Sequence, residues 1–175
     1  MIETYSDFTL DVMGCCARIL AYCDNADLCF VGRSPENLFD HLSGLLSDSI
    51  WSHRLQSVQF SWRKVDEDRI SSHALAALRT YFETMRLDPV DLPRRAHPVA
   101  FVDLVDSGET LGNLVSFVDH WVRQQGVDWK AVKSKFRDCR FPRKKLTSKA
   151  THLPCLSGFL GSHTSKEDTS PPMVM

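Results

Sequence analysis

Two stretches of the chain place a short apolar run directly before a helical pattern of apolar residues. Residues 28–31 (L-C-F-V) form the first run, and residues 99–103 (V-A-F-V-D) form the second. Apolar residues then recur three or four positions apart, as expected for one face of a helix: Leu38, Leu42, Leu45 and Leu46 after the first run, and Leu111, Leu114, Val115, Val118, Trp121 and Val122 after the second. The pattern therefore predicts two strand–turn–helix units.

The rest of the chain supplies further elements of the same kind. An N-terminal helix is predicted with Phe8, Val12, Cys15, Cys16, Ile19 and Cys23 on its apolar face, so these cysteines are expected to be buried and reduced. Residues 55–62 alternate approximately and predict a strand, and a later helix is expected to stop at Asp88-Pro89. After Gly126 no strand is predicted, and residues 127–136 suit a short helix.

The turn after the second apolar run has the chemistry of an anion site. Asp106, Ser107, Gly108, Glu109 and Thr110 combine hydroxyl groups and a glycine at the predicted start of a helix. Unpaired backbone N–H groups at such a start bind phosphate, and a glycine lets the anion approach the backbone. The alternative is an ordinary strand-to-helix turn in which Asp106 or Ser107 only caps the helix.

Residues 99–111 (V-A-F-V-D-L-V-D-S-G-E-T-L) resemble the phosphoribosyl pyrophosphate signature of the type I phosphoribosyltransferases. The resemblance implies that Ser107, Gly108, Glu109 and Thr110 hold a 5′-phosphate, that Asp103 binds the ribose and an associated Mg²⁺, and that Asp106 is the catalytic acid/base. The family has two adjacent acids, and here Val102 occupies the place of the first.

The first unit contains a second candidate loop. Gly32, Arg33 and Ser34 suit the position where the resembled family holds the pyrophosphate, and Ser34 is the expected N-cap, with Pro35 at the first helical position. The alternative for Arg33 is a solvated turn residue. The charged stretch at residues 61–70, with Arg63, Lys64 and Arg69, suits either the mobile hood of that family or a solvated connection.

The resemblance implies an α/β fold with a small, mainly parallel sheet, truncated or altered at its C-terminal end. It implies a magnesium-dependent phosphoribosyltransferase of nucleotide metabolism that transfers the phosphoribosyl group of phosphoribosyl pyrophosphate to a nitrogen nucleophile. Two alternatives remain: a non-catalytic ribose-phosphate sensor, and an interaction protein that acts through a basic arm and has a vestigial site. A homodimer is a further expectation.

Charge divides the chain of 175 residues into unlike parts. Residues 1–129, the expected domain, contain 11 basic and 19 acidic residues, whereas residues 130–149 contain nine basic residues and one acidic residue. Such a segment is usually a solvated face, but with Trp129, Phe136 and Phe141 between its basic residues it also suits nucleic acid. Residues 150–175 lack apolar periodicity and predict a disordered tail. No signal peptide or membrane-spanning run is recognisable, so the cytoplasm is expected.

Overall fold

The computed structural model describes residues 3–61, 70–105 and 109–142, with side chains for residues 7–61, 70–104 and 109–137. Within these residues four strands alternate with helices. The strands are β1 (Asp27–Val31), β2 (Leu55–Val58), β3 (Val99–Val105) and β4 (Phe136–Pro142). The helices are α1 (Glu3–Cys23), α2 (Glu36–Leu45), α3 (Ser72–Thr84), α4 (Glu109–Gln125) and the short α5 (Trp129–Lys133), with 3-10 turns at Ile50–Arg54 and Leu92–Arg94.

All four strands are parallel and form one sheet in the order β2-β1-β3-β4. Leu28 of β1 lies beside Leu55 of β2 on one side and Ala100 of β3 on the other, which defines the register of these three strands. Parallel strands need crossover connections, and the intervening helices supply them. The prediction of an α/β fold with a parallel sheet and flanking helices is therefore confirmed.

Helices cover both faces of the sheet, because successive strand residues point to opposite sides. On the first face, Leu28, Phe30, Ala100 and Val102 pack with buried residues of α1 and α2: Cys15, Cys16, Ile19, Cys23, Leu38 and Leu42. On the second face, Cys29, Val31, Val99 and Phe101 pack with buried residues of α3, α4 and α5, among them Phe82, Leu111, Leu114, Phe117, Val118, Trp121, Val122 and Val132. The fold therefore has three layers, with the sheet between two layers of helices.

An ion-pair cluster lies at the amino ends of the strands. The carboxylate of Asp27 accepts hydrogen bonds from Arg54 Nε at 2.9 Å and from Arg95 Nη2 at 2.7 Å. Arg54 also donates to the side chain of Asn25, and Lys135 Nζ donates to the carbonyl of Arg95. These contacts join the beginnings of β1, β2 and β3 to the residue before β4. This edge of the sheet is therefore occupied by structural contacts.

Three expectations about individual elements are wrong. A strand does follow Gly126, since β4 pairs with β3 along its length. Helix α2 begins at Glu36, so the cap position belongs to Pro35 and not to Ser34. Phe8 is 56% exposed, because the contact of α1 with the core begins at the partly buried Val12 and the fully buried Cys15.

Candidate functional site

The two candidate loops leave adjacent strands at the same edge of the sheet. Strand β1 has β2 on one side and β3 on the other, so the chain crosses β1 between its second and third strands. The helix after β1 packs on the first face and the helix after β3 packs on the second. The helices that follow β1 and β3 therefore lie on opposite faces, and such a reversal point at the carboxyl ends of parallel strands is where open α/β sheets bind ligands.

The loop after β1 depends on a glycine conformation. Gly32 has φ +74°, and its N–H donates to the carbonyl of Val58 at the end of β2, at 2.8 Å. A Cβ atom at this position would lie 3.1 Å from the carbonyl oxygen of Phe60. A side chain is disfavoured both by the backbone angle and by the neighbouring strand end. This turn leaves Arg33 exposed and Ser34 half-buried beside the end of β1.

Asp103 lies where β3 extends past β1. The register with β1 ends at the pair Phe30 and Val102, whereas β4 accompanies β3 as far as Val105. Asp103 follows Phe101 by two residues and therefore shares the second face. The residue is only 6% exposed, which is unusual for an acid. The sequence-predicted ribose-binding acid thus lies beside the end of β1, at the edge from which the candidate loops depart.

The position of the missing acid belongs to the core. Val102 is fully buried and packs in the α1 and α2 layer, on the face opposite that of Asp103. A carboxylate here would lie among apolar side chains and would be costly to ionise. Of the two acids in the resembled signature, this chain therefore has only one, and the other position stabilises the fold.

The second loop is described only at its helical end. Glu109 begins α4, a helix of 17 residues, and is exposed; Thr110 follows and is half-buried. Asp106, Ser107 and Gly108 lie outside the described residues, as do Arg63, Lys64 and Arg69 of the expected hood. The structure thus brings Gly32, Arg33, Ser34, Asp103 and the first turn of α4 to one edge of the sheet.

Two residues of the described part of the basic segment, Lys135 and Phe136, make structural contacts. Phe136 is 6% exposed, and its ring packs edge-to-face against Phe101 at 5.2 Å and Trp129 at 5.9 Å between centroids. Lys135 donates to a backbone carbonyl, as described above. Phe136 is therefore unavailable for stacking on bases, although Lys130 and Arg137 are exposed.

The four cysteines with described side chains are buried free thiols, as predicted for Cys15, Cys16 and Cys23 of α1, and Cys29 of β1 is buried as well. Burial raises the pKa of the Cys16 thiol to about 11 and that of Cys29 to about 12. Both thiols are protonated at neutral pH, and a thiolate is the nucleophilic form. Cys16 and Cys29 are therefore not suited to act as nucleophiles.

One concave feature was not apparent in the sequence. A groove of about 460 Å³ lies between α3 and α4, where the Arg79 guanidinium sits 5.6 Å from the centroid of the Trp121 ring and donates to Gln124. The groove is formed by two helices that are far apart in sequence. Helical periodicity by itself does not reveal which of their polar residues come together.

No family model, curated protein or solved structure matches this chain. Across the described ranges, no helix has the length and apolar character needed to cross a membrane. The same residues contain no cluster of three or more His, Cys, Asp or Glu side chains suited to a metal ion. The chain is therefore classified by its fold alone, as an α/β protein with a four-stranded parallel sheet. The geometry of the candidate site is the basis for its function.

Proposed function

We propose that the chain binds phosphoribosyl pyrophosphate, or a closely related ribose phosphate, at the carboxyl edge of β1 and β3. The observation that supports this most is the position of Asp103, Gly32 and Arg33 at one reversal point of a parallel sheet, next to the first turn of α4. Gly32, in the loop after β1, and Val99, at the start of the signature, are 67 residues apart in sequence. The strands to which they belong, β1 and β3, are nevertheless neighbours in the sheet.

Each residue has a role that suits its chemistry. The loop Gly32–Ser34 receives the diphosphate, with the exposed guanidinium of Arg33 as its cationic contact. Ser107, Gly108, Glu109 and Thr110 bind the 5′-phosphate through backbone N–H groups and hydroxyls at the start of α4. Asp103 accepts hydrogen bonds from the ribose hydroxyls.

Magnesium fits this site only together with the substrate. Mg²⁺ in phosphate sites is commonly held by one or two carboxylates and by the phosphates themselves. Among the described residues Asp103 is the buried acid at this edge, Glu109 at the start of α4 is an exposed one, and no cluster of three or more side chains suited to a metal ion was found there. Asp103 would therefore contact a cation that arrives with the diphosphate, and the cation would neutralise the charge of the leaving group.

The reaction we propose is transfer of the phosphoribosyl group to a nitrogen nucleophile. The bond between the ribose C1 and the diphosphate oxygen breaks, a bond from C1 to nitrogen forms, and the nitrogen proton passes to Asp106. The transition state resembles an oxocarbenium ion, so the protein mainly positions the diphosphate and stabilises its growing negative charge. Arg33 suits that task.

A second candidate is a ribose-phosphate sensor without catalysis. The observation that favours it is Val102, a fully buried core residue where the signature has an acid. Loss of that acid leaves the phosphate contacts intact and removes one of two groups at the ribose. The sensor and the enzyme therefore share a ligand and differ only in turnover.

The test is thermal unfolding with Mg²⁺ and phosphoribosyl pyrophosphate, followed by an assay for released pyrophosphate with nitrogen acceptors. A ligand at 100 times its Kd adds about 2.7 kcal/mol of stability, which is readily measured. Stabilisation with pyrophosphate release supports the transferase, and stabilisation without release supports the sensor. Unchanged melting at millimolar ligand would contradict both.

A further inference from the structure

The outward face of α1 is apolar, which is unusual for a surface helix. From Phe8 to Cys23 the only charged residues are Asp11 and Arg18. The inward face is already buried against the sheet. On the opposite side Leu10 is 62% exposed and Met13 is 49% exposed. A helix with one buried face normally presents polar residues on the other, so a second partner is expected for this side.

The outward face of α1 carries large side chains in one half and small side chains in the other. Leu10 and Met13 lie toward the N-terminus, and Gly14, Ala17 and Ala21 follow at helical spacing. Ala17 and Ala21 are exposed. A Cβ atom on Gly14 would contact only Arg18 Nη2, at 3.6 Å, so this flexible side chain is the one group that lies beside the Gly14 backbone. Large residues beside small ones on one stripe are complementary to the same stripe running in the reverse direction.

We propose that a second copy of this chain covers the outward face through an antiparallel α1–α1 contact, with the two-fold axis near Gly14. In this register Leu10 enters the space bounded by the partner's Gly14, the partner's Ala17, the partner's Arg18 and the partner's Ala21. This is the four-residue hole that a helix offers to a side chain of its neighbour. The two Met13 side chains meet across the axis on one flank.

Charge on the other flank supports the same register. Asp11 and Arg18 are seven residues apart and therefore share one flank of α1. An antiparallel pair centred on Gly14 brings each Asp11 to within about one residue rise, ~1.5 Å along the axis, of the partner's Arg18. In the single chain Arg18 Nε donates to the carbonyl of Gly14 at 3.0 Å, which holds the guanidinium beside this face. A parallel two-fold pair would instead leave Asp11 and the partner's Arg18 seven residue rises, about 10 Å, apart along the axis.

This inference is independent of the proposed function, and its test is the oligomeric state of the full chain. One helix pair buries less than the ~1,600 Å² of a standard interface, so we expect a dimer of micromolar affinity. Sedimentation equilibrium from about 2 to 200 μM should show a monomer–dimer equilibrium. Ala17→Glu places a carboxylate opposite the partner's Asp11 and should raise the dimer Kd at least tenfold.

The matched control is Ala77→Glu, the same change at an exposed alanine of α3, which should leave the Kd unchanged. Asp11→Arg and Arg18→Asp should each weaken the dimer, and the double variant should regain most of the affinity. Circular dichroism checks that each variant is folded. A monomer at 200 μM, or a dimer that Ala17→Glu and the charge reversals leave unchanged, would overturn the proposal.

Discussion

Replacing Gly32 by alanine tests the turn on which the candidate site depends. The residue has φ +74°, where an L-residue costs about 1–2 kcal/mol, and the added Cβ would lie 3.1 Å from the Phe60 carbonyl oxygen. That distance requires the backbone at Phe60, two residues after β2, to move by a few tenths of an ångström. We expect Gly32→Ala to lower the free energy of unfolding by about 1–3 kcal/mol and to weaken ribose-phosphate binding, because the loop that carries Arg33 must move.

Alanine substitutions at three other glycines separate the cost of the backbone angle from the cost of the close contact. Gly126 has φ +66° and no atom within 4 Å of a built Cβ, so Gly126→Ala should show the backbone cost alone, about 1–2 kcal/mol. Gly44 and Gly112 lie in α2 and α4 with nothing near a Cβ, and alanine there should stabilise by up to about 1 kcal/mol.

Denaturant unfolding of all four variants provides the measurement. The order of stability should be Gly44→Ala and Gly112→Ala above the parent, then Gly126→Ala, then Gly32→Ala. A Gly32→Ala variant as stable as the parent, with unchanged ligand affinity, would refute the reasoning about this turn.

The remaining predictions concern the fold and the chemistry. Asp27→Ala leaves Arg54 and Arg95, whose side chains are 14% and 15% exposed, without their carboxylate, and chemical unfolding should show a loss of about 2–4 kcal/mol; a loss below 0.5 kcal/mol would mean that the cluster is dispensable. Because burial raises the pKa of Cys29 to about 12 from 9.0, its stabilising contribution is complete below pH 9 and is lost as pH rises toward 12. Cys29→Ala should therefore lose less stability than the parent between pH 8 and pH 10.5, and parallel pH curves for the two proteins would contradict this. Gly108→Val should abolish phosphate binding with a modest change in stability, whereas Asp106→Asn should retain binding and abolish turnover; calorimetry and pyrophosphate release distinguish them, and normal turnover by Asp106→Asn would exclude it as the base.

Sequence patterns predicted the inner part of this fold well. Strands β1 and β3 are short, apolar and followed by helices with a regular apolar face, so local periodicity and tertiary burial agree, as the buried Leu38, Leu42, Leu114 and Trp121 confirm. The position of Asp103 could also be anticipated, because the carboxyl ends of neighbouring parallel strands share an edge.

The edges of the fold were harder to predict. Strand β4 has the sequence F-R-D-C-R-F-P, whose charged residues conceal a strand that is defined by its pairing with β3. Phe8 fits the apolar face of α1 by spacing, but the 21-residue helix spans about 31 Å whereas the five residues of β1 span about 16 Å. The early turns of α1 therefore extend beyond the sheet, and Phe8 instead lines a groove with Asn37, Asp40 and His41 of α2. Periodicity specifies a face but not the extent of its partner.

Equilibrium binding of Mg²⁺ and phosphoribosyl pyrophosphate to the parent, Arg33→Ala and Arg94→Ala tests the central claim most directly. Arg33 lies at the carboxyl edge of the sheet, and Arg94 is an exposed arginine that precedes β3 at the opposite edge. A charge-assisted hydrogen bond contributes about 1.5–3 kcal/mol, so Arg33→Ala should weaken binding by roughly 10- to 100-fold. Arg94→Ala should bind as tightly as the parent. Absence of binding to the parent, or equal affinity of all three proteins, would contradict the proposed site.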